Sequence, residues 1–289
     1  MEIDAALIGR LVATQFPTWA DLPVTPVPEG GWDNRTFRLG DLLLVRLPSA
    51  ERYADQAVKE QTWLPRLAPH LPMPVPVPLG LGAPSEDYPW PWSVLEWIEG
   101  EPANRAVIGD EATLAADLAA FLIALQRIDT TGGPAAGAHS FHRGGALAVY
   151  DDQTRQALAA LDGRLDETAL TAIWDRALAS DWTPPPVWVH GDVAAGNLIL
   201  RDGRLAAVID FGQLSVGDPA CDLAIAWSPL FGVEGRAAFR QALPLDDATW
   251  VRGRGWALWK ALILFTGVAR GARRDVERSE GVLAAILSD

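Results

Sequence analysis

The chain has 289 residues, 49% of them hydrophobic, which is enough to fill a sizeable core in one large or two smaller domains and excludes a disordered polymer. Its 24 Lys and Arg against 37 Asp and Glu leave a net charge of −13, a surface that repels nucleic acid and anionic lipid. A single cysteine, Cys221, excludes an internal disulfide, and with four scattered histidines it makes no zinc pattern. The first ten residues carry neither the basic start nor the apolar core of a signal peptide, and charges or prolines break the longest apolar runs. The expectation is a cytoplasmic protein with no membrane span.

In chain order, helical apolar spacing covers 3–15 and stops before Pro17. A turn-rich stretch from Pro26 to Asn34 follows, with Gly30 and Gly31 suited to a close backbone approach to phosphate, although the pattern is not G-x-G-x-x-G. Residues 36–39 and 42–47 read as a β-hairpin around Gly40-Asp41, and Arg46 stands near the end of its second strand. A helix over 50–68 carries Glu60. Prolines 72, 74, 76 and 78 hold the next segment extended. Strands near 79–83 and 91–97 come next, and Ser93 to Gly100 marks the change from strand-rich to helix-rich sequence, placing a hinge between 1–97 and 98–289.

Beyond the hinge, helices are predicted over 110–128, with Asp110 as N-cap, and over 151–162 and 166–180. A short strand over 187–189 runs into His190-Gly191-Asp192, with Asn197 five residues after the aspartate. The segment 197–210 then reads as a hairpin turning at Asp202-Gly203 and ending in Asp210-Phe211-Gly212. Further helices are predicted over 219–227, 234–242, 247–270 and 273–287. Trp250, Trp256 and Trp259 on the third of these read as core packing. Asp151-Asp152 and Asp246-Asp247 read as solvated helix starts.

The order H-x-D-x-x-x-x-N followed by D-F-G carries a chemistry, because phosphoryl transfer needs a carboxylate near the attacking hydroxyl and oxygen ligands for Mg²⁺ across the nucleotide phosphates. Asp192 suits the first role. Asn197 and Asp210, at the two ends of one hairpin, suit the second. His190 is expected to fix the loop by packing and hydrogen bonding rather than to move protons. Walker A, G-x-S-x-G and H-E-x-x-H sequences and internal repeats are absent.

These residues resemble the aminoglycoside phosphotransferase family, small-molecule kinases with a protein-kinase-like fold that include choline and homoserine kinases. The resemblance spans nearly the whole chain and rests on His190-Gly191-Asp192 with Asn197, on Ile209-Asp210-Phe211-Gly212, and on the run from Gly217 through Asp218 and Asp222 to Ala224, similar to the family's G-D-x-x-x-D-L-A element. It implies an α+β, two-lobe fold, with a β-rich nucleotide-binding lobe at 1–97 and a helix-rich catalytic and substrate-binding lobe at 98–289. By the same resemblance Asp192 is the catalytic base, Asn197 and Asp210 bind Mg²⁺, and Glu96 and Ile98 offer backbone groups to the nucleotide base. Arg46 and Glu60 fall where a phosphate-binding cation and its carboxylate partner are expected, with arginine standing where the family has lysine. One aspartate of the Gly217–Ala224 element is expected to bond the catalytic-loop backbone and the other to cap a helix.

The implied activity is transfer of the γ-phosphoryl of ATP or GTP to a hydroxyl of a small molecule. An antibiotic such as an aminoglycoside or macrolide is the first acceptor class, and an amino alcohol, homoserine or a sugar the alternative. A nucleotide-binding pseudokinase is the reading from another class, motivated by Arg46 alone. The few residues between Gly212 and Pro219 leave no room for an activation loop, which disfavours a polypeptide acceptor. The acidic balance either attracts a cationic acceptor or only confers solubility. A monomer or homodimer, with no nucleic-acid or membrane partner, completes the expectation.

Overall fold

A computed structural model of the chain describes residues 2–27, 33–271 and 273–289. The Gly30-Gly31 phosphate flap expected from the sequence lies outside the described residues.

The first helix, α1 (Ala5–Gln15), starts where the Asp4 carboxylate accepts the Leu7 N–H at 2.8 Å. It packs on a five-stranded antiparallel sheet made of β1 (Val24–Pro26), β2 (Asn34–Leu39), β3 (Leu43–Pro48), β4 (Pro78–Gly82) and β5 (Trp92–Glu96), in the spatial order β1-β2-β3-β5-β4. Strand periodicity sorts the side chains of β3. Leu43, Val45 and Leu47 join a core with Leu7, Ile8, Leu11 and Val12 of α1 and with Tyr88, Trp92 and Val94, so Arg46 is turned to the opposite face. There it meets α2 (Ala54–Leu67), which follows a short 3₁₀ turn at 51–53 and holds Pro65 in its last turn.

The second core is larger and lies mainly among the helices of the C-terminal part. It is built by α3 (Glu111–Gln126), α4 (Asp151–Ala159), α5 (Glu167–Leu178), α6 (Val233–Ala242), α7 (Asp247–Phe265) and α8 (Arg273–Leu287), and it takes in Leu64 and Leu67 of α2. Helix α2 thus pairs with the sheet through Glu60 and Arg46 and gives Leu64 and Leu67 to the helical core. Asp110 caps α3 as expected, accepting the Thr113 N–H at 2.7 Å.

Two small sheets sit beside these helices. β6 (Glu101–Pro102), β8 (Leu198–Arg201) and β9 (Arg204–Val208) form one, and β7 (Val187–Val189) with β10 (Ser215–Gly217) forms the other. The β8-β9 hairpin turns on Asp202 and Gly203, both left-handed at φ 52° and 75°, as the two-residue turn requires.

The structure adjusts two predicted helices. Residues 219–227 wind as a 3₁₀ rather than an α-helix, a long run for that tighter coil, held by Asp218 at its start and by Asp222 bonding away from it into the preceding loop. The helix predicted to reach 270 ends at Phe265, just before Gly267 takes the left-handed φ of 76°.

Asp218 caps that 3₁₀ helix and also accepts from Arg252 of α7, Nε to Oδ2 at 2.7 Å and Nη2 to Oδ1 at 3.3 Å, with the two side chains only 10% and 4% exposed. Removing one partner of a buried pair leaves an uncompensated charge. Asp218→Ala is therefore expected to cost about 3–5 kcal/mol of stability. Urea denaturation checks this, and Asp218→Ala combined with Arg252→Met is expected to lose less than Asp218→Ala alone.

Candidate active site

The loop after β7 cannot continue a strand, because its next two amides turn away from the sheet. Asp222 takes both: its carboxylate accepts the N–H of His190 at 2.9 Å and of Gly191 at 2.8 Å. Gly191 has φ 85°, and a Cβ there would come within 2.5 Å of the Gln213 carbonyl oxygen, so no other residue fits this bend. His190 is fully buried. Its Nδ1 accepts the Asp192 N–H at 3.1 Å, which places the ring proton on Nε2, where it is donated to the Ile209 carbonyl at 3.0 Å. Both ring nitrogens are thus committed to holding the loop, as the sequence reading expected.

Asn197 closes the loop. Its Nδ2 donates to the Asp192 carbonyl at 2.9 Å and lies 3.4 Å from Asp192 Oδ2, and its Oδ1 meets no donor among the described residues. The hairpin pairs Leu198 with Val208, and the Ile209 N–H donates to the Asn197 carbonyl at 2.9 Å. Asn197 and Asp210 therefore flank the same end of the hairpin. Asp210 adopts φ 68°, a left-handed conformation that aspartate tolerates better than most residues.

Across the cleft, Arg46 uses its fork twice. Nη1 donates to Glu60 at 3.0 and 3.3 Å, and Nη2 donates to Asp210 Oδ1 at 2.7 Å. Burial works against the guanidinium charge, and Glu60, Asp210 and Asp33 together overcome it, so Arg46 holds its proton more tightly than usual. Burial pushes the Glu60 carboxyl up, with Arg46 pulling it back in part. The Asp33 carboxyl is likewise raised by burial and by Asp210, and lowered by Arg46.

Glu96 and Ile98 lie at the other end of the same strand pair. Glu96 pairs with Leu43 and Arg46 with Ser93, three residues along, which is roughly 10 Å. The Trp97 N–H donates to Leu42 at 2.8 Å, whereas the Ile98 N–H has no backbone acceptor among the described residues. The structure thus gathers Asp192, Asn197, Asp210, Arg46 and Glu60 at one place and sets Glu96 and Ile98 at the far end of the cleft.

Two cations beside Asp192 escaped the sequence reading. Lys260 of α7 donates its Nζ to Asp192 Oδ1 at 2.9 Å. Arg143 lies with its guanidinium carbon 5.0 and 4.6 Å from the ring centres of Trp256 and Trp259, and bonds Gln213 at 3.3 Å. Burial works against the Asp192 charge, and Lys260 followed by Arg143 outweighs it, holding the carboxyl at about 2. A signal for Lys260 was present: the chain contains 2 lysines, Lys59 and Lys260, against 22 arginines. Trp250, Trp256 and Trp259 are buried, in keeping with the core role expected of them.

Residues 24–259 match the family model described as the phosphotransferase enzyme family. The chain belongs to that family. Among solved structures, the GDP complex of wild-type aminoglycoside 2'-phosphotransferase-IIIa superposes with a TM-score of 0.73 at 18% identity, covering 99% of each chain. A macrolide 2'-phosphotransferase from Brachybacterium faecium superposes with a TM-score of 0.60 at 21% identity, covering 97% of each. At these identities the likeness is one of fold: both are kinase-like phosphotransferases, and the antiparallel sheet followed by helices described above is that fold. Two curated aminoglycoside 3'-phosphotransferases, one from Escherichia coli and one from Salmonella typhimurium, are each 41% identical over 49 residues, 17% of this chain and 18% of theirs. The match therefore spans less than a fifth of those relatives' length.

The pH dependence of stability follows from Asp192. Its folded value of about 2 lies below the unfolded carboxyl value near 3.9, so its charge stabilises the fold fully above about pH 4 and progressively less as pH falls toward 2. The unfolding free-energy difference between wild type and Asp192→Asn is expected to shift against wild type from pH 5 to pH 3. Denaturation curves at each pH measure it, and a difference that stays constant with pH would remove the charge argument.

Proposed function

We propose that this phosphotransferase moves the γ-phosphoryl group of ATP or GTP, with Mg²⁺, to a hydroxyl of a small-molecule acceptor, with Asp192 as the base. The observation that carries the reading is the hairpin end at which Asn197 and Asp210 meet beside Asp192. Complexes among the solved structures, with GDP, ADP, kanamycin and gentamicin, support a nucleotide co-substrate and an antibiotic acceptor. The macrolide 2'-phosphotransferases among them support macrolides as the other acceptor class.

In this reading residues 1–97 bind the nucleotide and 98–289 supply the catalytic loop and the acceptor site. The backbone of Glu96 and Ile98 meets the nucleobase, and Arg46, paired with Glu60, meets the phosphates. The separation of roughly 10 Å along the β3-β5 pair suits the span from base to phosphates. Asn197 Oδ1 and the Asp210 carboxylate are two hard oxygen donors, which fits Mg²⁺, an ion that takes one or two carboxylates and fills its shell with phosphate and water. When bound, the ion neutralises charge on the phosphates.

Asp192 orients the acceptor hydroxyl and receives its proton. Lys260 and Arg143 put two cations immediately beside that carboxylate, although the whole molecule carries −13. An aminoglycoside acceptor therefore has to bring a hydroxyl distant from its ammonium groups to Asp192, whereas a macrolide sugar or another neutral polyol meets no such demand.

Asp192→Ala is expected to lower phosphoryl transfer by about 10²–10⁴ while nucleotide affinity stays near wild type, because the base touches the acceptor. A panel of aminoglycosides, macrolides and amino alcohols assayed for nucleoside diphosphate release tests both the activity and this split. Transfer at the wild-type rate would show that another group takes the proton.

Asp210→Asn is expected to weaken nucleotide binding in Mg²⁺ more than Asp192→Ala does, since it removes an anionic ligand from a hard cation. Calorimetric titrations with Mg²⁺ and with EDTA check it. If wild type binds nucleotide equally well in both, the carboxylate plays no metal-binding role.

A further inference from the structure

We infer that Lys260 is a further catalytic residue, a mobile cation that leaves Asp192 to hold the transferred phosphoryl group; the inference rests on the phosphotransferase reading above.

Two cations face the base, and they are held differently. Arg143 is 8% exposed, stacked against two tryptophans and bonded to Gln213, so it is fixed in place. The Lys260 side chain is 47% exposed, and among the described residues its hydrogen-bond partner is Asp192 Oδ1. An ammonium has three donors, so two remain unused, on a four-carbon stem that can swing.

The pair stabilises the Asp192 charge at rest, yet it places a positive charge against the carboxylate that has to accept a proton, so the contact has to loosen for the step to run. Composition strengthens the point. In a chain that uses arginine 22 times and lysine twice, position 260 carries the lysine. A lysine presents a compact charge with rotatable donors, where arginine presents a rigid planar fork.

Geometry supplies the target. An acceptor oxygen within hydrogen-bond reach of Asp192 lies about 2.6–3.2 Å from the carboxylate, and the phosphorus it attacks about 3–3.5 Å beyond. A cation already 2.9 Å from Asp192 Oδ1 can therefore reach the oxygens of the group in transfer by rotation of its stem. In the step, the acceptor hydroxyl gives its proton to Asp192 and its oxygen bonds to the γ-phosphorus. The bond from that phosphorus to the bridging oxygen breaks, and the oxygen leaves with the electron pair on the nucleoside diphosphate. Lys260 keeps its proton throughout and offsets charge on the phosphoryl oxygens.

The test needs no acceptor. Hydrolysis of ATP and of GTP by the full chain, with water as acceptor, is compared among wild type, Lys260→Met, Lys260→Arg and Asp192→Asn, together with calorimetric nucleotide affinity in Mg²⁺ and melting temperature. Lys260→Met is expected to lower kcat about 10²–10³-fold with nucleotide KM and affinity within about twofold of wild type, assayed well below each variant's melting temperature, because the contact forms in the transition state. Lys260→Arg is expected to recover part of kcat. The inference is overturned if Lys260→Met hydrolyses nucleotide at the wild-type rate while Asp192→Asn does not, if affinity falls in step with kcat, or if Lys260→Met regains the wild-type rate on cooling well below its melting temperature. A wild-type chain that hydrolyses neither nucleotide and transfers to no acceptor of the panel above overturns the phosphotransferase reading itself, a result distinct from failure at Lys260 alone.

Discussion

The arrangement of the site depends on one buried carboxylate. Asp222 is fully enclosed and accepts two consecutive backbone amides, those of His190 and Gly191, where the chain leaves β7. Without an acceptor those two N–H groups would be buried and unpaired, at about 1–3 kcal/mol each. The enclosure acts back on the acid, since burial pushes its carboxyl above the usual range. Once the bend is set, the other positions follow by short steps: His190 ties the Asp192 amide to the Ile209 carbonyl, and Asn197 ties the Asp192 carbonyl to the hairpin. The anchor of Asp222 is itself anchored. Gly253 lets α7 lie against the 3₁₀ helix, for a Cβ there would come within 2.6 Å of Leu223 Cβ, and Arg252 on the same helix holds Asp218.

Arginine at position 46 does more than conserve a charge. A single ammonium is a point donor, whereas the two terminal nitrogens of the fork here serve different elements, Glu60 on α2 and Asp210 after β9. The N-terminal sheet is thereby joined electrostatically to the end of the catalytic hairpin. One guanidinium faces the carboxylates of Glu60, Asp210 and Asp33, and the raised Glu60 and Asp33 carboxyls reflect that crowding in a buried place. In the proposed function, a divalent cation at Asp210 would share that carboxylate with Arg46, so the arginine would compete with the metal as well as meet the phosphates.

Much of this was legible in the sequence because local rules and distant motifs agreed. The hairpin 197–210, its Asp202-Gly203 turn, the Asp110 cap and the core-facing tryptophans each follow from a spacing or a side-chain preference acting within a few residues. The division of labour in Gly217–Ala224 was legible too, with Asp218 capping and Asp222 bonding the loop. Other features were hidden because they are made by tertiary approach. Nothing near position 260 in the chain points to Asp192, 68 residues away, and nothing near 143 foretells a guanidinium against Trp256 and Trp259. The 3₁₀ winding of 219–227 escaped for a related reason, since its coil is held by partners in a preceding loop and in α7.

Helix α7 shows why core and site cannot be assigned to separate residues in this fold. Its apolar face is fully used: Trp250, Trp256 and Trp259 are buried, and Tyr150 stacks on Trp259 with ring centres 3.8 Å apart. That packing leaves the helix little freedom to rotate, because interiors are close-packed and a turned helix would expose aromatic surface. The same rigidity fixes where Arg143 and Lys260 stand relative to Asp192, one clamped by the aromatic rings and the other at the edge of the packed face. A fixed cation sets the field at the carboxylate before any ligand arrives, and a mobile one can follow charge as it moves. The tryptophan stripe is therefore core by contact and part of the site by consequence, since the burial that packs α7 is what clamps Arg143 and sets Lys260 at the exposed edge beside Asp192.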